Sequence, residues 1–385
     1  MLKVLTACTE EIDEVDVAVN DILRQLDMEG ELLANSAGIM TFYSEFTDTG
    51  VVSAICERLP FPVVGTTTMG TAVPGRNGAM MLSLMVLTSE DITFSVAMTT
   101  SLAETLHDPI ESAYNEAKGA LGEEPKLTLA FAPLLLQYAG DRYVEILDEL
   151  SGGAPVFGTL ALDHTPIYSE TQTLFNGTLT KDAMALLLLG GAVDPSFFVV
   201  SIAEDKIWQR SAVITAAEGN ILQEVNKMPL AQYLETVGMA EDGKIVPSVN
   251  IFPLVLDYND GAQPVTRVII QATEEGYGVC GGLIHEGASM SIASFGRTDV
   301  LSTTTSALEK IMEEKNKNAM IVFSCIGRSL ALGADTAAEM ALFDQKLKGA
   351  LPYLFAYSGG EMCPVDGGNA KVNRFHNDTF VACLI

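Results

Sequence analysis

The chain has 385 residues, 48% of them hydrophobic, and a formal net charge of −28. That length exceeds one ordinary core, so two domains are expected. So acidic a chain shows no basic face for phosphate, which argues against nucleic acid and against an anionic membrane surface as partners.

Taken in order, residues 2–8 read as a strand, and Ile12, Val15, Val19, Ile22 and Leu26 share one face of a following helix. A strand over 37–43 and a helix from Val51 to Leu59 come next. Pro62 opens a strand that runs to Gly65, and the Thr- and Gly-rich stretch 66–78 reads as a loop. Strands near 79–88 and 91–99 close this first set. A second set repeats the order: a helix near 103–121, a strand over 126–132, a helix over 141–150, and Pro155-Val156-Phe157-Gly158-Thr159. Strands at 183–187 and 197–202 follow. The order returns a third time, with a strand over 319–324, a helix over 337–348, a strand led by Pro352, a glycine-rich loop and a closing strand over 379–385. Three copies of strand, helix, Pro-led strand, loop and strand predict related sheet modules, since the period is too long for a solenoid. Between the second and third copies, 219–237 reads as a helix, followed by strands near 251–257, 265–272, 277–284 and 288–295. The polar segment Ala203 to Arg210 is the expected boundary, giving domains over 1–210 and 211–385. The fold class is α/β: two domains of repeated strand–helix–strand modules, with β-sheets covered by helices.

No apolar run approaches the roughly 20 residues that span a bilayer. Leu5-Thr6-Ala7-Cys8 resembles a lipoprotein cleavage box, but the seven residues before the cysteine are too few for a leader and read as strand. The six cysteines, at 8, 56, 280, 325, 363 and 383, form no C-x-x-C pair, so no zinc ribbon is supported. A reducing, cytoplasmic protein without metal or cofactor is expected.

The sharpest chemical stretch is Phe323-Ser324-Cys325-Ile326-Gly327-Arg328. It follows an apolar strand and precedes a helix that Thr336 and Glu339 open as a capping box and Gly349 closes. Cys325 and Arg328 are therefore expected in the loop past the carboxyl end of a buried strand, where α/β proteins place ligand groups. Glu361, after two glycines, reads as a loop-tip carboxylate suited to an amine, and His376 as a candidate base. Cys325 is the one candidate nucleophile; its alternative is a small buried hydrophobe at a strand end. Gly276-x-Gly278-x-x-Gly281 matches a dinucleotide fingerprint, but strand-like alternation follows it, so a tight glycine hairpin is expected.

Several segments together resemble the FIST proteins, which pair a FIST N-terminal with a FIST C-terminal domain. They are Val63-Val64-Gly65-Thr66-Thr67-Thr68-Met69-Gly70, Phe175-Asn176-Gly177, Val265-Thr266-Arg267, His285-Glu286-Gly287, the stretch Phe323–Arg328, Gly359-Gly360-Glu361 and His376-Asn377-Asp378-Thr379. The sequence departs from the pattern at Phe355, where glycine is expected, and at Met362, where isoleucine is usual. The resemblance implies a sensory module proposed to bind small ligands such as amino acids, often attached to signalling domains in bacteria and found with an F-box in a eukaryotic relative. It supplies no catalytic residues. The expected function is cytoplasmic sensing of an amino-acid-like ligand, with Arg328 on its carboxylate, Glu361 on its amine, and Cys325 and His376 beside them. A separate protein signalling partner would carry the response. The alternatives are a cysteine-dependent enzyme using Cys325 with His376, and a protein-binding adaptor.

Overall fold

The computed structural model describes residues 1–165, 167–208, 211–246, 251–367 and 370–385. Three six-stranded sheets form its body, and all three are wired alike. The first runs Leu2–Thr9, Leu82–Ser89, Asn35–Tyr43, Val63–Thr68, Thr173–Phe175, Thr178–Thr180. The second runs Ile92–Met98, Ala185–Gly191, Leu127–Ala132, Val156–Leu160, Glu361–Asp366, Lys371–His376. The third runs Ser196–Val200, Phe380–Leu384, Met320–Cys325, Tyr353–Ser358, Thr71–Val73, Arg76–Gly78. In each, the third and fourth strands are parallel and joined through helix, and the other pairings are antiparallel.

The last two strands of each sheet are a hairpin lent by another module. The first module's hairpin pairs in the third sheet, the second module's in the first, and the third module's in the second. The exchange therefore closes in a ring. The Pro-led strands hold equivalent positions: the carbonyls of Pro62, Pro155 and Pro352 accept from Gly38, Thr128 and Met320 at 2.8, 2.9 and 3.0 Å. Proline suits a strand's first position because it has no N–H to place in the ladder. Gly65 shows one reason for glycine inside the strand, since a Cβ there would fall 1.8 Å from the Met40 carbonyl oxygen.

The inner faces of the three sheets pack on one another. Ile39 and Met85, Phe131 and Leu187, and Phe323 and Val381 belong to one buried cluster. Phe323 stacks on Phe157 at 5.4 Å and meets Phe131 edge-on at 6.1 Å. Helices Val15–Leu26 and Val51–Arg58 cover the outer face of the first sheet. His107–Leu121 and Asp141–Ser151 cover the second, and Arg297–Ile311 and Ala338–Leu347 the third. Strands buried on both faces carry unbroken apolar runs, which is why Ala185–Gly191 reads as it does.

A further unit is inserted between Ser196–Val200 and helix Arg297–Ile311, with its own apolar cluster around Leu222, Leu234, Leu254 and Met290. The expected boundary at 210 falls on residues 209–210, outside the described residues. The expected helix over 219–237 is broken into strand, turn and a short helix. Ala212–Glu218 and Ile221–Val225 form a hairpin at Gly219, whose φ is +60°, and only Leu230–Glu235 is helical. Leu222 and Val225 are both buried in the inserted core, although a strand sends residues three apart to opposite faces, so their helix-like spacing reflects burial on both faces. The expected loop 66–78 contains the lent hairpin, whose partner strand lies far away in sequence. The glycine fingerprint is a hairpin turn: Gly276, at φ +81°, links Ile269–Ala272 to Gly278–Cys280.

Candidate functional site

The carboxyl ends of the three parallel strand pairs meet. Thr68 Oγ1 donates to the Tyr357 carbonyl at 2.7 Å, Leu162 N–H to Thr67 at 3.1 Å, and Gly359 N–H to Leu160 at 3.2 Å. Cys325 ends its strand here, beside Ser358 in the parallel register, and its N–H donates to the Thr379 carbonyl at 2.9 Å. Glu361 begins the third module's lent hairpin, with His376 opposite.

Glu361 is a strand residue and fully buried, which corrects its expected place at a solvated loop tip. Ser358 Oγ is hydrogen-bonded to Glu361 Oε1, and Thr379 Oγ1 donates to Oε2 at 2.7 Å. Burial pushes the Glu361 carboxyl up to about 8 against these bonds, and the neighbouring Asp378 adds to the rise. Asp378 is buried too, at a φ of +52°, and burial raises its carboxyl to about 7. Gly327 must lack a side chain here, because a Cβ would fall 1.9 Å from Asp378 Oδ1.

Cys325 is 5% exposed. Burial and then the Glu361 and Asp378 carboxyls hold its thiol well above the usual range, although the backbone N–H groups of Gly327 and Asp378 hydrogen-bond it. The expected cation is not beside it. Arg328 lies inside a short helix, Ile326–Leu332, that starts directly after Cys325 with no intervening loop. Its guanidinium turns inward to Glu339: Nε and Nη2 donate to Glu339 Oε1 at 3.0 and 2.8 Å. Thr304 and Ser324 donate to the same carboxylate at 2.6 and 2.9 Å. Glu339 therefore serves as a buried counter-ion. The expected capping box is absent, since Ala337 occupies the N-cap without a side-chain bond. Arg328, 1% exposed and paired with Glu339, is not placed to take a ligand carboxylate.

His376 is buried and neutral. Its Nε2 lies 3.1 Å from the Cys363 carbonyl, and burial lowers its affinity for a second proton to about 3. The structure thus gathers Cys325 and Glu361 near one another, sets His376 across the ladder from Glu361, and ties Arg328 to a different partner. Asp378, Ser358 and Thr379 belong to the cluster but were not among the expected site residues; the signal for Asp378 and Thr379 was their place in the segment His376-Asn377-Asp378-Thr379. Tyr168, from the second module, also reaches it: burial and then the Cys325 sulfur keep its phenol protonated. Among the described residues, the one group of three metal-ligating side chains within reach of one ion is the exposed trio His107, Asp108 and Glu111, in the second module's helix.

Two family models match the sequence, the FIST N domain over residues 38–228 and the FIST C domain over 229–364. The chain belongs to the FIST family. FIST domains are regarded as small-ligand sensory domains in signal transduction. No curated protein matches this FIST chain. A crystal structure of cyanuric acid hydrolase from A. caulinodans is similar over 100% of this chain and 99% of its own, at 10% identity and a TM-score of 0.37. No helix among the described residues is long and apolar enough to cross a membrane.

Proposed function

We propose that this FIST protein binds a small ligand at the junction of its three modules, at Glu361, Asp378 and Cys325, and serves as a sensory module in signal transduction. The observation that carries the reading is the Asp378 carboxyl, buried with Oδ2 unpartnered at the convergence of strand ends. A buried polar atom left unmet costs about 1–3 kcal/mol, and a ligand donor would recover it. The amino-acid-like ligand expected from the sequence keeps one contact, its amine at Glu361, and loses its carboxylate contact at Arg328. Six unbridged cysteines suit a reducing, cytoplasmic setting. The cysteine-enzyme reading loses support, because a nucleophilic thiol needs a depressed affinity for its proton and Cys325 has the reverse. A thermal-shift screen of amino acids and small metabolites tests the proposal. A compound that binds only the folded state raises the melting temperature, and the rise should vanish in Glu361→Gln. An undiminished rise in that variant would move the site elsewhere.

A further inference from the structure

Three consecutive residues bury an acceptor that nothing in the protein meets. His376 Nδ1, Asn377 Oδ1 and Asp378 Oδ2 each lack a hydrogen-bond partner. Buried polar atoms in native proteins are nearly always paired, so three in succession ask for an outside donor. The tautomer of His376 follows from its other nitrogen: the Cys363 carbonyl can only accept, so Nε2 carries the proton and Nδ1 is a bare acceptor. Among the described residues no cation hydrogen-bonds these three acceptors, although the Arg328 charge acts on Asp378 and those of Arg267 and Arg374 act on His376. Arg328 is hydrogen-bonded to Glu339 and Arg267 to Asp141, and Arg374 pairs with Asp260 while its own Nε is buried without a partner.

We propose that the turn His376–Thr379, together with Glu361, binds a nitrogen cation, an ammonium or guanidinium group, on a ligand that needs no carboxylate. This deepens the small-ligand reading and rests on it. Protonated amines and guanidiniums offer donors alone, which is what the unmet acceptors require. A ligand carboxylate brought here would face Glu361 and Asp378, with the nearby Arg328 guanidinium already hydrogen-bonded to Glu339. Entry of the cation favours ionisation of both carboxyls, so binding releases protons.

Two pairs of probes share a cation and differ by one carboxylate: agmatine against arginine, and putrescine against ornithine. Titration calorimetry with the full-length protein at about pH 6.5, in buffers of different ionisation enthalpy, reads affinity and proton count together. The expected result is that agmatine or putrescine binds about tenfold or more tightly than its carboxylated counterpart, releases protons, and is weakened about tenfold or more by Asp378→Asn. The proton count on the wild type stands even where that variant does not fold. Tighter binding of arginine or ornithine, or binding without proton release, would overturn the cation proposal and leave the small-ligand reading in place. No melting-temperature rise from any cationic, zwitterionic, anionic or neutral compound would overturn both, and the acceptors would then be met by water alone.

Discussion

Two buried carboxyls and one buried imidazole give this protein a distinctive dependence on pH. Glu361 ionises near 4.5 in an unfolded chain and near about 8 when folded. Between those values the folded state holds the extra proton, so stability falls as pH rises. Asp378 acts in the same direction from 3.8 to about 7. His376 acts oppositely: its value drops from 6.5 to about 3, so its contribution is lost as pH falls through that range. Above about 6.5 only the carboxyls remain in play. The melting temperature of the ligand-free protein should therefore fall from pH 6.5 to 8, and Glu361→Gln should flatten that slope in a calorimetric pH series. Arg328→Ala should act on stability, because it strands the Glu339 carboxylate in the core; a cost of about 3–5 kcal/mol in denaturant titration is expected. The thiol, guanidinium, carboxylate and imidazole were legible as the chemistry of the third module. Which partner Arg328 takes was not, because Glu339 fits a helix-capping pattern and an inward counter-ion equally well by spacing.

At the scale of elements, the inserted unit grips the lent hairpin at its site end. Arg267 lies on the inserted strand Val265–Arg267 and is fully buried. Its Nη1 donates to the Phe375 carbonyl at 3.0 Å, and its Nη2 to Asp141 Oδ1 at 2.6 Å. Leu283 N–H donates to the other Asp141 oxygen at 2.8 Å. Thr266 Oγ1 is hydrogen-bonded to the Asn377 carbonyl. The insertion thus fixes both residues that flank His376. Asp141→Ala removes the counter-ion of a buried guanidinium and should cost about 3–5 kcal/mol, read as a lower denaturant midpoint. It should also speed hydrogen exchange in Lys371–His376, which a surface ion pair would leave unchanged. The strands and helices of the modules were legible because each alternates an apolar run with an amphipathic helix. The lent hairpins were not: Thr71–Val73 and Arg76–Gly78 are short, and the pairing of Thr71–Val73 with Tyr353–Ser358 depends on chain far away in sequence.

At the scale of the whole molecule, the ring of exchanged hairpins joins the three modules. Each sheet is incomplete without strands from another module. The body should therefore unfold in one calorimetric transition, and a fragment ending near residue 210 should lack the hairpin that completes the second sheet and fail to unfold cooperatively. Three repeats were visible through Pro62, Pro155 and Pro352, while their common inner core was not, since sequence order does not show which faces meet. The central claim is that the meeting point of the modules is a ligand site built on buried, unmet acceptors. It is tested most directly by the melting temperatures of the wild type and Asp378→Asn, each with and without the compound that shifts the wild type most. The account predicts a clearly smaller rise in the variant than in the wild type; an equal rise in both would contradict it.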